Sequence, residues 1–147
     1  MSIKGGFIET SSGWHGSTTR IKILARDFLA DDDAVTYGGI VTDELNSTGA
    51  VQVSSSSQEM YAYVPIPTGY KATECRINCS SSIQVRVWHC DIIGTSGTEI
   101  SDVASTQFTN TLLSLTETSS TDENFIMVFV YTAVTTDLVY GGYITIE

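Results

Sequence analysis

At 147 residues and a net charge of −10, the chain is long enough for one domain that buries roughly 68–70% of its unfolded surface without disulfides or metal. Its 18 Ser, 20 Thr, seven Tyr and two Trp, with no long runs of Ala, Leu, Glu and Lys, argue against a helical bundle and suit strands joined by polar turns. The charge is uneven: residues 1–26 hold Lys4, Arg20, Lys22 and Arg26 against Glu9, while residues 27–147 hold three cations against 16 acids, a balance that repels nucleic acid and anionic membranes.

Residues 1–19, rich in Gly, Ser and Thr around Phe7, Ile8 and Trp14, show no period and are expected to form an extended N-terminal arm. Its positive charge suits an acidic partner surface. The opening Met-Ser-Ile-Lys-Gly-Gly-Phe lacks the apolar core of a signal peptide, and no later run reaches the length of a membrane span; synthesis in the cytoplasm is the expectation. Residues 20–147 read as a single domain. Arg20–Leu29 alternates at first and ends in the acidic corner Asp31-Asp32-Asp33. A short strand is expected over Val35–Val41, a loop over Asp43–Gly49 and a short strand over Ala50–Val53. Glu59–Ile66 places Met60, Ala62, Val64 and Ile66 on one face with Tyr61 and Tyr63 on the other, the period of two of a half-buried strand. Pro65 and Pro67 end it.

Tyr70–Asn78 is the next strand, followed by the turn Ser80-Ser81-Ser82. Ile83–Asp91 puts Ile83, Val85, Val87 and His89 on one face and Gln84, Arg86, Trp88 and Cys90 on the other. Thr106–Leu115 reads as extended and Thr116–Glu123 as a polar connector. Phe125–Ala133 is apolar on both faces: Phe125, Met127, Phe129 and Tyr131 against Ile126, Val128 and Val130. A turn at Thr135-Thr136-Asp137 leads to the closing strand Leu138–Ile146. The fold class expected is all-β: a jelly-roll-like antiparallel β-sandwich of about eight to ten strands. Only one face of a sandwich strand normally meets the core. The doubly apolar strand therefore predicts a cover from the arm or from another subunit, with Tyr61, Tyr63, Trp88, Ile126, Val128 and Val130 at an oligomer contact.

No pattern predicts catalysis, a metal or a cofactor. Four residues of strand separate Cys75 from Cys79 by about 13 Å, beyond the ~7 Å reach of a disulfide, so free thiols are expected. The chain lacks Cys-x-x-Cys knuckles for zinc, and Asp31-Asp32-Asp33 lacks the alternating spacing of a calcium loop. His89 and Cys90, adjacent on a strand, point apart and cannot form a nucleophile–base pair. Trp14, Tyr61, Tyr63 and Trp88 could stack on sugars as well as anchor a protein interface.

Three segments carry a family resemblance. Arg20–Asp32 (RIKILARDFLADD) resembles the opening of small virion proteins of tailed bacteriophages that infect cyanobacteria and other aquatic bacteria. Ile66–Ala72 (IPTGYKA) is similar to their middle, and Thr136–Ile146 (TDLVYGGYITI) to their closing hairpin. The resemblance implies a capsid decoration, or cement, protein: β-rich, often trimeric, and bound to the outer capsid surface where major capsid proteins meet. On that expectation the protein is a non-enzymatic homotrimer in the virion. The resemblance supplies no site residues; the arm's positive charge and isolated apolar groups are what place Phe7, Ile8, Trp14, Arg20 and Lys22 at the contact with the major capsid protein. The alternatives are a tail-fibre or baseplate tip that binds host glycans, a lectin-like or cytokine-like sandwich and, last, an enzyme.

Overall fold

The computed structural model describes residues 16–17, 19–31, 40–42, 49–53, 56–94, 96–101, 107–108 and 110–147. The described residues form two antiparallel sheets. Their strands are β1 (Gly16–Ser17), β2 (Arg20–Leu24), β3 (Leu29–Asp31), β4 (Ile40–Thr42), β5 (Val51–Val53), β6 (Gln58–Val64), β7 (Lys71–Cys79), β8 (Ile83–Asp91), β9 (Gly97–Glu99), β10 (Gln107–Phe108), β11 (Leu113–Ser119), β12 (Asn124–Thr132) and β13 (Val139–Ile146). The first sheet runs β1-β2-β13-β7-β11, and the second runs β3-β6-β12-β8 with β9 and β10 both on the outer side of β8.

Eight strands, β2, β6, β7, β8, β10, β11, β12 and β13, make the frame. In chain order the first sheet contains the first, eighth, third and sixth of them, and the second sheet contains the second, seventh, fourth and fifth. That interleaving is a jelly roll. The expected sandwich is thus the observed one, with the short strands β1, β3, β4, β5 and β9 added at its margins.

Period-two patterning explains the burial. Met60, Ala62 and Val64 of β6 and Ile83, Val85 and Val87 of β8 face the core, where Ile77, Ile144 and Phe28 meet them from the other sheet and its exit turn. The turn Ala25–Asp27 carries the chain from β2 across to β3; the Leu24 N–H donates to Asp27 Oδ2 at 2.7 Å. Where β2 leaves the sheet, β5 takes its place beside β13 through the pair Val139 and Val51.

Two bulges change the phase of the first sheet. Thr73 has no partner of its own between the pairs Glu74–Thr145 and Ala72–Ile146, so β7 buries Ala72 and Cys75 rather than every second residue. In β13 the extra residue is Tyr140, and Gly141 beside it adopts φ +104°, a conformation open to glycine but not to L side chains. Buried Asp137 closes the β12–β13 turn. Its carboxylate accepts from the Ala133 and Val134 N–H groups at 3.1 and 3.2 Å and from the Ser81 hydroxyl, which ties this hairpin to the β7–β8 turn.

Several expectations are corrected. Leu113–Ser119 is a strand, although Thr116–Glu123 was expected to be a connector; Leu113 and Leu115 bury alternately while Ser114 and Thr116 face out, as suits an edge strand. Gly16 and Ser17, within the expected arm, pair with Ile21 and Arg20. Residues 1–15, with Phe7, Ile8 and Trp14, lie outside the described residues, as do Asp32, Asp33 and most of the strand expected over Val35–Val41. Ile126, Val128 and Val130 were expected at a subunit contact. They are instead 2%, 0% and 0% exposed in the core between the sheets, and leave no surface for a second subunit.

Candidate functional site

Because successive strand residues face opposite ways, burial of Ile126, Val128 and Val130 turns Phe125, Met127, Phe129 and Tyr131 to the outside of the second sheet. Register builds three transverse rows there. Tyr63, Met127, Trp88 and Glu99 form one; Leu29, Tyr61, Phe129 and Arg86 form the next; Glu59, Tyr131 and Gln84 form the third. The rings interlock. Tyr61 and Phe129 have centroids 5.3 Å apart at 58°, and Tyr63 and Phe125 are 5.7 Å apart at 59°, the tilted geometry favoured by aromatic quadrupoles.

This packing shelters part of the outer row from within the sheet. Phe129 is only 7% exposed, and Phe125, Met127 and Tyr131 are half-buried, because β12 is central and its large neighbours on β6 and β8 shelter it. Tyr61 and Trp88 are likewise half-buried, while Tyr63 (54%) and Leu29 (58%) at the β3–β6 side stay exposed.

Between these rows lies an open cleft of about 330 Å³ lined by Glu59, Tyr61, Arg86, Trp88, Cys90, Gly97, Met127 and Phe129. Its polar groups are fixed. Arg86 Nε donates to Glu99 Oε1 at 2.9 Å and a second guanidinium nitrogen pairs with Oε2. The Ser101 hydroxyl donates to Glu99 Oε1 at 2.8 Å, and Ser101 Oγ in turn accepts from the Val87 N–H at 3.3 Å. The hydrogen bond from Arg86 holds the Glu99 carboxyl below the usual carboxylate range, against the opposing effect of burial. Arg86 also lies 5.1 Å from the centre of the Trp88 ring system, and the Tyr61 hydroxyl donates to Glu59 Oε2 at 3.2 Å. The sequence showed Tyr61 and Trp88 on outward faces, but not Arg86 with Glu99, which meet only because β9 folds back along β8.

The outer face of the first sheet has a different chemistry. Lys22, Tyr143 and Arg76 lie side by side across β2, β13 and β7, and Arg20, Thr145 and Glu74 form the neighbouring row. The Arg20 guanidinium sits 4.4 Å from the centroid of the Tyr143 ring, a cation–π contact. Arg76 Nε donates to Asn78 Oδ1 at 3.2 Å, and Glu74 accepts from the Thr145 hydroxyl at 3.2 Å. No carboxylate of the described residues pairs with Arg20, Lys22 or Arg76. Three of the chain's seven Lys and Arg residues therefore share one face, beside β1. Arg20 and Lys22 were expected at a contact surface; Arg76 and Tyr143 were missed, since only strand pairing brings them there.

The cysteines do not converge. Cys75 and Cys79 are buried on the core side of β7, while Cys90 lines the cleft on the far sheet; all three are free. Among the described residues no group of three His, Cys, Asp or Glu side chains gathers as a metal site. Burial pushes the Cys75 thiol up to about 12, and burial followed by the nearby Asp137 charge pushes Cys79 up to about 12. Burial and Asp91 also raise Cys90, but it is the most accessible of the three. Since the thiolate is the reactive form, alkylation of native protein at pH 8 is expected at Cys90 first, with Cys75 and Cys79 labelled only on unfolding. Mass mapping of the adducts checks this; early labelling of Cys75 would contradict it.

No helix among the described residues is long and apolar enough to cross a membrane. No protein-family model and no curated protein matches the chain. One solved structure with a similar arrangement is the N-terminal endo-1,4-beta-D-xylanase 10B of Clostridium thermocellum, CBM22-1–GH10 modules complexed with xylohexaose. It has 16% identity and a TM-score of 0.42 over 87% of this chain. The chain spans 27% of the length of that protein.

Proposed function

We propose that this chain is a non-enzymatic virion structural domain that binds the outer surface of a bacteriophage capsid, where major capsid proteins meet, and acts there as a cement or decoration protein. The observation that carries this reading is the basic patch of Arg20, Lys22 and Arg76 around Tyr143, which no carboxylate of the described residues pairs, on a chain whose net charge is −10. Such a patch steers an otherwise acidic protein onto an acidic polypeptide surface in one orientation. Phe7, Ile8 and Trp14, from the segment that precedes β1 in the chain, extend the contact as apolar anchors. The protein assembles as a homo-oligomer, a trimer on the analogy of decoration proteins, with exposed Tyr63 at the subunit contact. The sites it uses require neither nucleic acid, membrane nor cofactor.

Purified protein is expected to bind expanded capsids of its phage, and mass spectrometry of virions to find it at shell rather than tail copy number. Deleting residues 2–15, which leaves β1 and the Thr19 carbonyl that accepts from the Ile146 N–H in place, or the double change Lys22→Glu with Arg76→Glu, should abolish capsid binding and leave the fold intact. Undiminished binding by both variants would refute the assignment of the docking surface. The cleft on the opposite sheet favours a second reading, a glycan-binding tip on a tail fibre or baseplate; tail-level copy number in the virion would select it.

A further inference from the structure

We propose that the cleft on the outer face of the second sheet is a binding site for an uncharged saccharide. This goes beyond the capsid reading and holds whether the domain sits on shell or tail. At about 330 Å³ the cleft lies at the lower end of the size range of small-molecule sites, large enough for a short stretch of sugar chain. Its walls combine two kinds of surface: the apolar rings of Trp88, Tyr61 and Phe129, and the carboxylates of Glu59 and, paired to Arg86, Glu99.

A pyranose presents both complements. Its axial C–H face packs on an aromatic ring, and its hydroxyls donate to carboxylate oxygens. A purely apolar side chain from a protein partner would strip water from Glu59 and from the Arg86–Glu99 pair with no hydrogen bond in return, which is unfavourable.

Charge narrows the class. Among the described residues that line the cleft Arg86 is the one guanidinium, and both oxygens of Glu99 already engage it, so Glu59 leaves this lining net negative. On a chain of net charge −10, that balance rejects sialylated, sulfated and phosphorylated ligands. The site is also built in advance. Arg86 is held against Trp88, Glu99 is held by Arg86 and Ser101, and Tyr61 is held by Phe129 and Glu59, so binding orders few side chains.

The test uses the purified full-length chain on an immobilised array of neutral hexose, pentose and N-acetylhexosamine oligosaccharides beside sialylated and sulfated ones, followed by calorimetry on the best soluble neutral oligosaccharide. Binding is expected only among the neutral glycans. Trp88→Ala should weaken it about tenfold or more, as loss of an aromatic anchor does. Glu59→Gln, which keeps the side-chain shape, should also weaken it. In the unmodified protein the saturating oligosaccharide should slow alkylation of Cys90, whose thiol lines the same cleft, a readout independent of any variant's folding. No neutral binding at millimolar ligand, a preference for anionic glycans, or binding that leaves Cys90 labelling unchanged would overturn the proposal. Because no capsid is present, these outcomes leave the docking of the first sheet untouched.

Discussion

Replacing Gly142 with alanine is expected to destabilise this protein by about 3–5 kcal/mol, enough to unfold many domains of this size. A Cβ at this position would lie 1.8 Å from the Arg76 carbonyl oxygen, 2.8 Å from its carbonyl carbon and 2.9 Å from Ile77 Cα. All three are backbone atoms of β7, the strand paired with β13 along its length, so no side chain can swing aside to make room. The sheet must open or the bulge at Tyr140 must rearrange. Gly69→Ala is the control. It has φ +90° but nothing within 4 Å of the added methyl, so only backbone strain of about 1–2 kcal/mol is expected. Urea unfolding of the three proteins separates steric overlap from strain. A Gly142→Ala midpoint at or above that of Gly69→Ala would show that β13 approaches β7 less closely than described.

The second large effect is at Phe28. It is 2% exposed and follows the Ala25–Asp27 turn that carries the chain between sheets, so its ring fills the core at the crossover. Truncation to alanine should lower stability by about 3–5 kcal/mol, the sum of lost burial and the cavity left behind. Leu29, the next residue, is 58% exposed, and Leu29→Ala should change stability by less than about 0.5 kcal/mol. A one-residue step that reverses the outcome tests the strand phase directly. If Leu29→Ala were the more harmful of the two, β3 would present its other face to the core.

Much of the candidate site was half-visible in the chain. Tyr61 and Tyr63 alternate with Met60, Ala62 and Val64, and Arg86 and Trp88 alternate with Val85 and Val87, so their outward direction followed from the period of a strand. That they form one surface did not follow, since it depends on β12 lying between β6 and β8. The basic face shows the same division. Arg20 and Lys22 stood out as cations on alternating positions, whereas Arg76 looked like an isolated charge until β13 placed it across Tyr143 from Lys22.

By itself, then, the amino-acid order determined the local properties: an all-β chain, the faces of its regular strands, its turns at Ser80–Ser82 and Thr135–Asp137, and thiols too far apart on β7 to pair. These depend on residues a few positions apart, whose geometry the backbone period dictates. Only the tertiary structure decided which apolar row of β12 becomes core, where Thr73 and Tyr140 shift the register, and which charges meet. Ile126, Val128, Val130 and their alternates are similarly apolar, so either row satisfies the local pattern; the choice falls to the rows that β6 and β8 turn inward beside them. Strand order, a property of distant segments, is what makes that choice.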